Sequence, residues 1–115
     1  MDHYNWSLIP EEKMNPLVTR QAIHTPHMTI ARLRMAKGAL VPVHRHVNEQ
    51  MTLLQSGALR FVIAGEEVVV RGGEALRIPP DAPHSAEALE DSVATDVFTP
   101  SREDWIRGDD AYLRK

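Results

Sequence analysis

The chain contains no cysteine, which removes disulfides and thiolate metal sites from consideration at once. No apolar run approaches the ~20 residues needed to span a bilayer. The first ten residues, Met1 to Pro10, carry Asp2, His3 and Asn5 and lack a long apolar core, so a signal peptide is not expected. Neither sign of charge dominates: 13 Lys and Arg are interspersed with 16 Asp and Glu, for a net charge of −3 at pH 7. A nucleic-acid or anionic-membrane partner is therefore not expected. Low-complexity tracts and repeats of 20–50 residues are missing as well. These absences leave a soluble, cytoplasmic, single-domain protein of 115 residues as the expectation, with 43% hydrophobic and 25% charged residues. A chain of this size buries roughly two-thirds of its unfolded surface on folding.

From Leu17 onward the sequence breaks into short β-like runs: Leu17–Ile23, Met28–Met35, Leu40–His46, Gln50–Gln55, Leu59–Ala64, Glu67–Arg71, Glu74–Ile78, His84–Ala88 and Val93–Phe98. Between them stand Lys37-Gly38, Ser56-Gly57, Ala64-Gly65, Gly72-Gly73 and Pro79-Pro80-Asp81, residues that supply positive φ or stop strand continuation. Many short strands at this spacing predict an all-β antiparallel sandwich or barrel. Residues 1–16, with Pro10 and Pro16, read as an N-terminal arm with a helical turn at Glu11–Met14. Residues 17–100 form the barrel, and 101–115 a helical tail of the same domain. Ser101 is the expected N-cap of that tail, Asp104 its capping-box partner and Gly108 its stop.

Two segments carry chemistry. In the first, His44 and His46 are separated by one residue, and Gln50 shares their parity. Side chains alternate faces along a strand, so all three can converge on one point, and His84 can join them from a neighbouring strand. Neutral imidazoles and a side-chain oxygen suit a divalent transition metal: Zn, Ni, Fe, Mn or Co. A β-bulge after Val47 would present Glu49 instead of Gln50, and water is a further candidate for the fourth position. Ser85 has no nucleophile elbow or other oxyanion-hole signature around it. His3, His24 and His27 fit no motif.

The spacing Gly38, His44-x-His46, Gln50, Gly57 resembles the first motif of the cupin superfamily, and Gly73, Pro79-x-Asp81, His84 resembles the second. Gln50 replaces the usual glutamate, while Asp81 and Ala88 replace the usual glycine and asparagine. The resemblance implies a small jelly-roll, or double-stranded β-helix, barrel. It sharpens at Asp96-Val-Phe98-Thr-Pro-Ser-Arg102-Glu-Asp-Trp105 and Ile78-Pro-Pro-Asp-Ala-Pro-His84-Ser85, which are similar to the KdgF family of pectin-degradation proteins. That likeness implies His44, His46, Gln50 and His84 as metal ligands, Asp96 and Arg102 as catalytic groups, and Phe98 and Arg102 as substrate contacts. The implied reaction converts 4,5-unsaturated uronates, the products of polysaccharide lyases, to linear keto forms.

Gln50 leaves the charge of a divalent ion uncompensated, which suits a small anionic partner. Asp96 is the proposed proton carrier, Arg102 a carboxylate clamp on the folded-over tail and Phe98 an apolar wall. The bland alternatives are an Arg102–Asp104 or Arg102–Glu103 surface pair, a hydrogen-bonded strand aspartate and a core phenylalanine. Two other functions fit the motif: a cupin dioxygenase acting on an aromatic or diketone substrate, and a non-catalytic cupin that binds a small anion. Trp6, Trp105 and Tyr112 lie in the terminal segments, where aromatics anchor arms or bury a dimer contact. A homodimer, with the N-terminal strand completing the partner's sheet, is the family-level expectation.

Overall fold

The computed structural model describes residues 1–114 as ten antiparallel strands, a 3-10 turn near the N-terminus and two short helical segments at the C-terminus. The strands are β1 (Glu12–Asn15), β2 (Val18–His24), β3 (Thr29–Met35), β4 (Leu40–His44), β5 (Glu49–Ser56), β6 (Ala58–Ile63), β7 (Glu66–Arg71), β8 (Ala75–Ile78), β9 (His84–Ala88) and β10 (Ser92–Thr99). They make a six-stranded sheet in the order β1-β2-β3-β10-β5-β8 and a four-stranded sheet in the order β4-β9-β6-β7. No helix among the described residues is long and apolar enough to cross a membrane.

Alternation along the strands builds the interior. On β10, Ser92, Ala94, Asp96 and Phe98 are buried while the residues between them are only partly so. On β5, Gln50, Thr52 and Leu54 face inward in the same way. The deeper positions of both sheets are apolar, among them Leu33, Leu59, Phe61, Val70 and Ile78. Each such side chain contributes about 1.5–3 kcal/mol by leaving water. Gly57 joins β5 to β6 with φ +93°, and a Cβ there would overlap Ser92 and the carbonyl oxygen of Asp91. Both conformation and space demand glycine at this motif position.

The two ends of the chain depart from expectation. Glu11–Met14 is not a helical turn: Glu12–Asn15 forms β1, which pairs with β2 of its own chain. The sequence-based boundary at residue 16 thus falls inside a β-hairpin, and helical structure in the arm is limited to a 3-10 turn at Trp6–Leu8. In the tail, α1 covers Glu103–Ile106 with Arg102 at the N-cap, and the Arg102 side chain makes no capping hydrogen bond. Ser101 instead donates its hydroxyl to the carbonyl oxygen of Thr25, which ties the start of the tail to the β2–β3 turn. Gly108, at φ +79°, follows the last turn as expected.

The tail returns across the barrel mouth through a 3-10 turn at Ala111–Leu113. Trp105 and Leu113 enter the core. Asn15 Nδ2 donates to the carbonyl oxygen of Leu113 at 3.1 Å, and Arg20 donates to Asp110 at 2.8 Å, both groups being almost fully buried. Arg20 also reaches half-exposed Glu12, and its guanidinium lies 4.3 Å from the Trp105 ring centre. Among the described residues its Nε and Nη1 find no hydrogen-bond partner, so the buried cation depends heavily on Asp110. Asp110→Ala strands that charge and should destabilise the protein by about 3 kcal/mol in urea unfolding. The double variant Arg20→Met/Asp110→Leu should recover most of the loss; equal damage from the single and double variants would contradict the pairing.

Candidate metal centre

Register brings the histidines together. Leu40 and Val41 of β4 pair with Glu87 and Ala86 of β9, but His44 pairs with His84, one residue out of step. The irregularity falls at Pro42-Val43, where proline has no N–H to give the ladder and is tolerated because β4 is an edge strand. The extra residue acts as a β-bulge and reverses the side-chain parity. Val43 consequently points to solvent, 71% exposed, and His44 turns inward against His84. Their ring centres lie 4.2 Å apart.

β4 ends at His44, so His46 does not reach the site by strand alternation. It lies in the loop that crosses between the sheets, and its ring centre is 5.0 Å from that of His84. The three imidazoles offer ligand nitrogens that all lie within 4.8 Å of one another. Each Nδ1 faces a backbone carbonyl: His44 to Pro42 at 2.9 Å, His46 to Asn48 at 3.1 Å and His84 to Ala82 at 2.8 Å. For His44 and His84 these contacts place the proton on Nδ1 and leave the Nε2 lone pair as the ligand atom; His46 Nε2 also faces the Gln50 amide oxygen, and the same tautomer is the one that lets it ligate. Burial is the main force lowering all three pKa values, to about 4 for His44 and His46. The rings are neutral at pH 7, the form a metal requires. The donor set and its tautomers therefore fit a divalent transition metal.

Gln50 comes from the other sheet. It is 6% exposed, and its Oε1 lies 3.2 Å from His46 Nε2. Glu49 points outward and pairs with Arg77 at 2.6 Å; the sheet runs without a bulge here, since Glu49 and Gln50 pair in step with Thr99 and Phe98. Gln50 is thus the inward-facing residue of the two. Behind it, Gln50 Nε2 donates to Thr52 Oγ1 at 2.9 Å, and Thr52 Oγ1 donates to Asp96 Oδ1 at 2.7 Å. Gln50 lies opposite Phe98, and Thr52 opposite Asp96, across the β5–β10 ladder.

Asp96 is buried, and burial raises its pKa to about 6 against the opposing pull of Thr52, Arg102 and Gln50. Phe98 is a cavity wall packed edge-on against His46 and Trp105. Arg102 also lines the cavity, with its guanidinium 4.7 Å from the Phe98 ring centre and 4.3 Å from that of Trp105. It is no surface pair: it is 1% exposed and grips Asp104 through Nε and Nη2 at 2.9 and 2.8 Å. Nη2 also donates to the Tyr112 hydroxyl at 2.6 Å. The fork read from the sequence as free for a ligand is thus already engaged.

Three participants escaped the sequence reading. Tyr112 stacks on His44 at 4.4 Å and roofs the site. Asn48 is 2% exposed; its amide donates to the carbonyls of Pro100 and Ser101, locking the His46 loop to the start of the tail. Thr52 shares the parity of Gln50, and that was the available signal. Asp81, where cupin motifs usually place glycine, adopts φ +61°. Aspartate tolerates that left-handed conformation better than most residues, and its N–H donates to the carbonyl of His46 at 2.8 Å.

A small two-sheet antiparallel barrel with three imidazoles converging at one end defines the cupin class of metal-binding barrels. The chain belongs to the cupin domain family, whose model matches residues 31–98. It is 28% identical over 100 residues to the pectin degradation protein KdgF of Dickeya dadantii (strain 3937), covering 84% of this chain and 91% of that protein. The structure of KdgF from a Halomonas species superimposes with a TM-score of 0.84 at 27% identity, covering 91% of this chain and 98% of that one. An RmlC-like cupin from Shewanella frigidimarina matches equally well in fold, with a TM-score of 0.84 at 23% identity.

The raised pKa of Asp96 has a measurable consequence in the metal-free protein. Its folded state binds the proton more tightly than the unfolded chain, whose aspartates titrate near 4. Its contribution to stability is therefore present below about pH 4 and is lost as pH rises through about 6. Relative to wild type, Asp96→Asn should gain roughly 2 kcal/mol between pH 4 and pH 7.5 in urea unfolding. A difference that stays flat across this range would show that the carboxyl titrates normally.

Proposed function

We propose that the protein is a metal-dependent isomerase that converts 4,5-unsaturated uronates to their linear keto forms. The observation that carries this reading is the sharing of one cavity by His44, His84, Gln50, Asp96, Phe98 and Arg102. Electron-pair donors, a proton-transfer group and a fixed cation face the same small space. The similarity to KdgF supplies the substrate class.

His44, His46 and His84, with Gln50 as the fourth donor, would hold the ion. Such an ion supplies a positive charge that stabilises negative charge developing on a bound oxygen. Opening of the hemiacetal ring leaves an enol at C5, with a carboxylate beside it. The ketone forms when C4 gains a proton and the C5 hydroxyl loses one, so atoms balance and the reaction is an isomerisation. Asp96 is the carrier of that proton; a carboxyl titrating near 6 can both accept and return it close to neutral pH. Phe98 offers its face to the carbon skeleton.

Arg102 orients the substrate carboxylate. Its Nη2 is bonded to the Tyr112 hydroxyl, and a carboxylate oxygen taking that place would replace a neutral partner with a charged one. The exchange requires the tail to lift, because the cavity beneath it measures about 50 Å³, room for a few waters. A sugar acid therefore enters an opened state, and closure behind it excludes water.

The test is loss of the conjugated absorbance when metal-loaded protein is mixed with unsaturated monouronates prepared by pectin and alginate lyases. Wild type should accelerate the decay over buffer, and Asp96→Asn should lower kcat by about 10²–10⁴-fold. Wild-type kcat in Asp96→Asn would remove the proton-transfer role, and no acceleration by wild type would remove the function.

A further inference from the structure

We infer that Thr52 is a positioning residue: its hydroxyl forces the Gln50 amide to present oxygen, and not its NH2 group, to the three histidines. This rests on the reading of that cluster as a metal centre. Thr52 is 1% exposed and lies between Gln50 and Asp96, so these two side chains are the candidate acceptors for its single proton. A carboxylate only accepts, so the hydroxyl proton goes to Asp96 Oδ1 at 2.7 Å. Thr52 Oγ1 can then only accept from Gln50, which fixes the amide with Nε2 toward Thr52 and Oε1 toward His46. Cross-strand pairing of Thr52 with Asp96 holds the relay in register.

The consequence falls on His46. Its Nδ1 lies 3.1 Å from the Asn48 carbonyl and its Nε2 lies 3.2 Å from Gln50 Oε1, so in the tautomer a metal requires, with the proton on Nδ1, the amide oxygen faces a bare lone pair. In that tautomer two acceptors confront each other with no proton between them. The contact is repulsive by itself and turns favourable when both atoms share a cation. A free amide would relieve the repulsion by rotating, so that its NH2 donates to His46 Nε2. That rotation removes the oxygen donor and also blocks a histidine ligand. Thr52 prevents it and holds the site in the arrangement a cation completes.

Cobalt(II) affinity and the cobalt visible absorption spectrum of metal-stripped protein at pH 7.5 test this without turnover. Thr52→Val should weaken binding about 10–100-fold and change the spectrum, while Thr52→Ser, which keeps the hydroxyl, should stay near wild type. On a Gln50→Ala background, Thr52→Val should have no further effect, because the threonine acts only through the glutamine. Thr52→Ala, which adds no bulk, is measured alongside with the same expectation, and circular dichroism verifies that each variant is folded. Wild-type affinity in both Thr52→Val and Thr52→Ala, or an equal loss with and without Gln50, overturns the proposal while the metal centre stands. If wild type binds cobalt no better than His44→Ala/His84→Ala, the metal centre itself fails and the proposal with it.

Discussion

The one-residue slip between β4 and β9 is the constraint on which the rest of the site depends. In step with Val41–Ala86, position 43 would oppose His84 and His44 would face solvent. Pro42 has no N–H to give the ladder, and the edge position of β4 allows the strand to bulge there. The bulge swings His44 under the roof and expels Val43. Two imidazoles then share one cross-strand pair, and the loop that follows needs to carry His46 only a short distance to complete the group.

Around that pair the protein arranges groups whose charge states are set by burial. Three imidazoles stay neutral because protonation would put charge in a dry place beside the cation of Arg102. Asp96 resists ionisation for the same reason, although Thr52 and Arg102 pull the other way. Arg102 keeps its charge because Asp104 and Tyr112 satisfy it. With a neutral glutamine as fourth donor, a bound divalent ion would retain its charge, and the cavity would favour anions. The tail that provides Arg102 and Tyr112 is fastened by a second buried pair, Arg20–Asp110, whose arginine also packs on Trp105.

Much of this was legible in the residues. Glycine and proline at turns located the strands of the barrel to within a residue or two, because backbone conformation is a local property. His44, His46, Gln50 and His84 could be singled out from type and spacing, and the structure brings all four together. The side chains of 44, 46 and 50 do lie near one another, but strand parity, the argument that grouped them, is not what brings them there. A bulge, a sheet crossing and a second sheet deliver those side chains, and none of these shows in a linear count. Glu11–Met14 suggested a helical turn because its residues favour helices, but the open edge of β2 captured the segment as β1 instead. The depth of Arg102 and the roof formed by Tyr112 depend on how the tail folds back, a long-range contact with no local signature.

The central claim is that three imidazole nitrogens and the Gln50 amide oxygen converge on one ion. X-ray absorption at the metal edge of zinc- or cobalt-loaded protein addresses it directly. The predicted spectrum shows three imidazole ligands and at least one oxygen at about 2.0–2.2 Å, with the imidazole scattering falling to two in His84→Ala. A loaded wild-type protein with fewer than three imidazoles around the ion, or one unchanged by loss of His84, would contradict it.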